Sequence, residues 1–245
     1  GNIAVKILAF ENRKIDADFW KERLAKAFEL RKMMGLTDNE HTNCYRLVHS
    51  EGDKLPGLII DIYGKTAVIQ AQTEGMALNV KNISEALLKV DGLKIDSVYN
   101  KSSEAMQRMG KDAVEDGYLF GEKSDEFVLE NDSKFYIDWE EGQKTGFFLD
   151  QRYNRDLVRQ LAKGKNVLNT FCYTGGFSVT ALKGGANKVV SVDCSKKAIS
   201  ACEKNIALNG FDIKENPSVA EDAKLFLQNM KKGEFDLIIL DPPAF

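Results

Sequence analysis

Three carboxylates and one glycine-rich turn carry the chemistry legible in this chain. Asp241-Pro242-Pro243 follows the apolar run 235–240. Neither proline can continue a strand ladder and both fix φ, so the Asp241 carboxylate is held rigidly where the strand ends. A second strand end, residues 169–178 (Asn-Thr-Phe-Cys-Tyr-Thr-Gly-Gly-Phe-Ser), runs through Gly175-Gly176 into a helix. Such glycines let the backbone approach a ligand at the carboxyl edge of a sheet, where open α/β folds bind theirs. Asp193 closes the next strand, near the ~20-residue offset at which an acidic group accepts from ribose hydroxyls. Asp222, in Glu221-Asp222-Ala223, suits an adenine amino group or the cap of the helix that follows, and the two roles are compatible. The GxGxxG that holds a pyrophosphate and the GxxxxGK[ST] of a P-loop are both absent. The pattern therefore points to a nucleoside cofactor without a phosphate chain, and support for NAD or ATP is weak.

These residues need a scaffold that brings strand ends together. From residue 150 onward the pattern alternates: helix 151–162, strand 166–170, helix, strand 188–192, helix 196–208, strand 217–220, helix 223–231, strand 235–240. Strands alternating with amphipathic helices predict parallel βαβ units in a doubly wound sheet. Before it lies α+β ground. A helix is expected from Asp16 or Asp18 to Gly35, then short strands between Cys44 and Gln72, a helix over 79–90, a strand over 95–99, and a hairpin of 127–130 with 134–139. Residues 2–10 alternate as a strand does, without a partner strand before them. With strand 235–240 left at an edge, the chain is expected to be a fragment.

Composition sets the outer limits. The 245 residues are 43% hydrophobic and 29% charged, with a net charge of -3, which excludes general disorder and is no nucleic-acid footprint in itself. The charge is uneven: Asp112, Glu115, Asp116, Glu122, Asp125 and Glu126 cluster in one stretch, while Lys144, Arg152, Arg155, Arg159, Lys163 and Lys165 form a basic one. The basic stretch reads as a solvated helix face or a phosphate-contacting stripe. Four cysteines without CxxC spacing and two histidines support neither a metal cluster nor a disulfide scaffold. No run approaches the ~20 apolar residues of a membrane span, and no signal-peptide pattern opens the chain, so the expectation is a cytoplasmic protein without a membrane partner.

The segments Asp241-Pro-Pro-Ala-Phe245, 169–178, Ser191-Val-Asp-Cys-Ser195 and Lys144-Thr-Gly-Phe-Phe-Leu-Asp-Gln-Arg152 together resemble the class I S-adenosylmethionine (SAM) dependent methyltransferases that modify large-subunit ribosomal RNA at cytosine C5. The likeness extends over nearly the whole chain, since Ser50-Glu-Gly-Asp-Lys-Leu-Pro-Gly57 is similar to that family's middle domain. It implies a Rossmann-like methyltransferase sheet, incomplete at the C-terminus, over 141–245. A smaller α+β domain would occupy 13–140, and residues 1–12 would be the last strand of an RNA-binding PUA-like module. It further implies Phe171, Tyr173 and Gly175 around the methionine part of SAM, Asp193 on its ribose, Cys194 near adenine and Asp222 on the adenine amino group. Gln151 and Arg152 would close the cofactor cleft, and Asp241 would face the target base.

Carbon 5 of cytosine is a poor nucleophile. A cysteine thiolate that adds to C6 makes C5 carbanion-like and able to take the methyl group, after which a base removes the C5 proton and the thiolate leaves C6. The resemblance puts that thiol in a strand-end motif after Asp241-Pro242-Pro243, beyond residue 245, and assigns the role to none of Cys44, Cys172, Cys194 or Cys202. Because an Asp-Pro-Pro motif with a nearby aromatic also suits a base nitrogen, a guanine N-methyltransferase stays open, although Ala244 intervenes before Phe245. So does a non-catalytic RNA-binding module. The partner implied is large-subunit ribosomal RNA, and a homodimer is left open.

Overall fold

A computed structural model describes residues 5–108, 110, 114–123 and 127–243. Chain packing divides them into two units. The first takes the described residues up to Leu129 together with Ile137–Leu149; the second takes Glu130–Tyr136 and the described residues from Asp150 on. The chain thus crosses from one to the other three times, whereas the sequence reading places one boundary after residue 140.

In the first unit, helix α1 (Ala17–Met33) opens where Asp16 accepts from the Phe19 amide at 3.2 Å, satisfying a backbone donor that the first turn leaves unpaired. Its buried side, Phe19, Trp20, Leu24, Ala27 and Phe28, lies on a five-stranded sheet with helix α3. The strands are β1 (Cys44–His49), β2 (Leu58–Tyr63), β3 (Thr66–Ala71), β4 (Ser97–Asn100) and β5 (Gly117–Phe120), in the order β1-β2-β3-β4-β5. All pairs are antiparallel except β3 with β4. That parallel step is made by the crossover through α2 (Glu74–Leu78) and α3 (Val80–Leu87), as parallel pairing requires. Gly57, at φ +84°, lies so close to Thr73 that a Cβ would fall 2.5 Å from its Cγ2. Leu47, Ile60, Ile69, Ile83 and Val98 form the middle of the core.

A buried polar chain ties 137–149 into this unit. Arg46 binds Asp61 through two hydrogen bonds of 2.8 and 2.9 Å, Thr145 donates to the same carboxylate at 2.6 Å, and Tyr63 stacks on Trp139 at 5.9 Å. Residues 5–12 form no strand: with no ladder partner among the described residues, their backbone runs irregularly while Leu8 and Ala9 pack on the core. Residues 2–4 of the expected 2–10 strand lie outside the described residues. Helix α4 (Ser103–Gln107) and β5 occupy a stretch that the sequence reading leaves unassigned.

In the second unit the strands β8 (Asn166–Thr170), β9 (Lys188–Asp193), β10 (Ser218–Ala220) and β11 (Leu237–Leu240) form a parallel sheet in the order β10-β9-β8-β11. Helices α5 (Arg152–Leu161), α6 (Gly176–Lys183), α7 (Lys196–Leu208) and α8 (Ala223–Asn229) alternate with them. The order reverses direction beside β8, and the crevice at such a switch point is where open α/β sheets bind ligands. Val167, Leu168, Val189 and Val192 are fully buried, as near-continuous apolar strands covered on both faces must be. Strand β11 lies at the sheet's edge, with Ile238 and Leu240 exposed. The short strands β6 (Val128–Glu130) and β7 (Ser133–Phe135) pair through the turn at Asn131 and Asp132, both at positive φ; the second strand ends at Phe135, short of the expected 139.

Candidate cofactor site

The carboxyl ends of four parallel strands collect the residues singled out above. After β8 the chain turns sharply: Phe171 and Tyr173 take φ +55° and +48°, and Gly175 φ +78°. Two non-glycine residues in the left-handed region within one loop are costly and persist only where the surroundings fix them. Here Asp193 does so. Its Oδ2 accepts from the Tyr173 amide and its Oδ1 from the Ser195 amide, each at 2.9 Å. The Cys172 amide donates to the carbonyl of Val192 at 3.0 Å. Gly175 is required for a second reason, since a Cβ there would lie 2.5 Å from Sγ of Cys202 on α7. Below the loop, Asn169 donates to Ser178 at 2.8 Å, and Ser178 bonds Ser191 at 2.7 Å, locking β8, α6 and β9 together.

A carboxylate has about four acceptor sites. Asp193 uses two on its own loop and stays partly exposed, which leaves acceptors for a vicinal diol. Cys194 is exposed immediately beyond it. Asp222 caps α8, accepting from Lys224 and Leu225 at 2.9 and 3.0 Å, and remains exposed for a further partner. Asp241, also exposed, accepts at 3.3 Å from the side-chain amide of Gln151. Ala244 and Phe245 lie outside the described residues. The loop, the close-approach glycine and the carboxylate behind it fit a nucleoside without a phosphate chain; nothing in the loop resembles a pyrophosphate cradle.

Comparison with known proteins decides the family. A family model described as S-adenosylmethionine-dependent methyltransferase matches residues 104–245, more than half of the chain. The chain belongs to this family. Among curated proteins it is 39% identical over 249 residues to the ribosomal RNA large subunit methyltransferase I of Aeromonas hydrophila, and 38% identical over 252 residues to that of Photobacterium profundum. Each alignment covers 99% of this chain and 62% of the relative. The chain therefore spans about three fifths of the relatives' length. Among solved structures, a methyltransferase crystallised with S-adenosylhomocysteine (SAH) superposes with a TM-score of 0.84 at 27% identity, covering 98% of this chain and 61% of that one. A protein from Streptococcus mutans described as a SAM-dependent methyltransferase gives 0.83 at 26%, covering 97% and 61%.

Within this methyltransferase the basic stretch has a different role from the stripe considered above. Arg155 is buried and pairs with Glu130 through bonds of 2.6 and 2.8 Å, Arg152 binds the same carboxylate at 3.1 Å, and Arg159 donates to the Asn131 carbonyl at 3.0 Å. These three guanidinium groups hold the 130–136 segment, so they form neither a solvated face nor a phosphate stripe; Lys163 is exposed and Lys165 half-buried. Arg152, expected to close the cofactor cleft, binds Glu130 with a side chain 13% exposed, and Gln151 of the expected pair reaches Asp241. Glu130 and Asn205 escaped the sequence reading. One ends a short hairpin strand and the other lies within a helix, and neither position has a local pattern that signals a distant partner. Among the described residues no group of His, Cys, Asp and Glu could hold a metal ion, and no helix is long and apolar enough to cross a membrane.

Proposed function

We propose that this methyltransferase transfers the methyl group of SAM to carbon 5 of a cytosine in large-subunit ribosomal RNA. The observation that carries the reading is Asp241, held by Pro242-Pro243 at the carboxyl end of β11 and bonded to Gln151, on the same sheet edge as the Asp193 loop. The names and identity of the curated relatives support the ribosomal substrate. The family's cofactor, when bound, supplies an electrophilic methyl group on a sulfonium.

In this reading Asp193 accepts from the ribose hydroxyls, Phe171, Tyr173 and Gly175 enclose the methionine part, and Cys194 and Asp222 bracket the adenine. Asp241 accepts from the exocyclic amine of the target cytosine, and Gln151 fixes the orientation of its carboxylate. The thiolate that adds to C6 is none of the four cysteines. Cys44, Cys172 and Cys202 are buried and Cys194 flanks the ribose acid. The hydrogen bond from Cys172 to Cys202, together with burial, pushes the Cys172 thiol up, away from the reactive thiolate form. The resemblance adds that residues 13–140 form the family's central α+β domain and that 1–12 continue an RNA-binding PUA-like module.

Incubation of the full-length parent protein that carries this chain with methyl-labelled SAM and large-subunit ribosomal RNA lacking its modifications, followed by digestion to nucleosides, tests the reading. Label in 5-methylcytidine is expected. Label in a methylated guanosine overturns the atom assignment, and cofactor binding without transfer to any RNA overturns the catalytic one.

A further inference from the structure

Asn205 lies on α7, away from the strand ends, and is fully buried. Its side chain is used at both ends: Nδ2 donates to the carbonyl of Thr174 at 2.9 Å, and Oδ1 accepts from the amide of Tyr136 at 2.7 Å. Thr174 sits between Tyr173 and Gly175, in the strained loop that follows β8. One turn on, Asn209 binds both backbone groups of Lys134, accepting from its amide at 2.9 Å and donating to its carbonyl at 2.7 Å. The two asparagines form one ladder on α7 that holds 134–136, and only Asn205 reaches the loop as well.

We propose that Asn205 is a positioning residue for cofactor binding, fixing the Thr174 carbonyl so that the Tyr173–Gly175 turn is preorganised for SAM. The inference rests on the methyltransferase reading of that loop. Asp193 holds the turn from the β9 side through the Tyr173 amide. Asn205 holds it from the α7 side through the Thr174 carbonyl, so the two bonds pin the peptide groups 172–173 and 174–175 on either side of the one between them. The Thr174 carbonyl sits on a half-buried residue, and stripping it of its donor costs that hydrogen bond. The loop would then populate conformations in which Tyr173 leaves its positive φ, and ligand affinity falls by the fraction of competent loop lost. The side chain touches no cofactor atom in this account.

The test compares Asn205→Asp with Asn209→Ala in the full chain. The aspartate keeps the acceptor for Tyr136 but places an oxygen against the Thr174 carbonyl; the alanine loosens 134–136 and leaves Thr174 untouched. Calorimetric titration with SAH is expected to show about tenfold weaker binding in N205D and wild-type affinity in N209A, whose cost appears as a lowered Tm. With RNA substrate, the KM for SAM should rise in N205D with kcat little changed. Equal SAH affinity in N205D and wild type overturns this inference alone; a wild-type chain that binds no SAH overturns the methyltransferase reading and this inference with it. If N205D fails to fold, N205S is read in the same way, and loss of fold in both makes Asn205 purely structural and ends the proposal.

Discussion

The side-chain amide of Gln151 donates to Oδ2 of Asp241 across 3.3 Å, joining the residue that caps α5 to the one that ends β11. In the proposed reading Oδ1 of Asp241 is then the carboxylate oxygen offered to the target base, and Gln151 links the Lys144–Arg152 motif to the Asp-Pro-Pro motif.

If Asp241 orients the target base, Asp241→Asn keeps the size and removes the charge. The rate of methyl transfer should fall on the order of a hundredfold, while SAH affinity by calorimetry stays within about twofold of wild type. Transfer at the wild-type rate would remove Asp241 from the chemistry.

Asp193→Ala takes away the acceptor of the Tyr173 and Ser195 amides together with the proposed ribose contact. Charge-assisted hydrogen bonds of about 1.5–3 kcal/mol are at stake, so SAH affinity should drop by roughly 10- to 100-fold. Undiminished binding would show that the ribose lies elsewhere.

Glu130→Gln leaves the guanidinium of buried Arg155 without its ionic partner, at a site where both side chains are 3% exposed. Breaking one half of such a pair costs about 3–5 kcal/mol. Urea unfolding should register that loss. The salt dependence of RNA binding should not change on Arg155→Met, because Arg155 is not at the surface; a flattened slope would reinstate the phosphate stripe.

Burial, aided by the Asp38 charge, pushes Tyr45 up to about 12 from 10.0, and burial raises Tyr63 well above the ordinary value. Both folded values exceed the unfolded one, so this stability is intact below pH 10 and drains away as the pH climbs through 10 toward 12. A pH series that follows tyrosinate absorbance and circular dichroism together should show these phenols ionising only as the first unit unfolds. Ionisation of every tyrosine near pH 10 with the fold intact would contradict it.

The sheet of the second unit was legible because each strand is a short apolar run stopped by a residue of distinct chemistry: Thr170 before the loop, Asp193, Asp222 after β10, and Asp241. Those stops are also the candidate site, so fold and site were read from the same signals. Helix α4 and strand β5 were not legible. They are five and four residues long, on either side of the acid-rich stretch 112–116, too short for either periodicity to declare itself. Arg152 and Arg155 of α5 read as surface because charge patterning carries no record of a carboxylate more than twenty residues upstream, and Glu130 is visible as their partner only once the chain has folded back.

The threefold crossing of the chain bears on how such proteins can recombine. Units joined by a single linker can be traded between relatives by one genetic exchange, but here a joint placed anywhere from 137 to 151 inherits Glu130 from one parent and Arg152 and Arg155 from the other. The same joint separates Lys134 and Tyr136 from Asn209 and Asn205. Chimeras of relatives should therefore tolerate a joint upstream of residue 128 better than one at 140, and the segment 130–136 should travel with the methyltransferase unit as an inherited block.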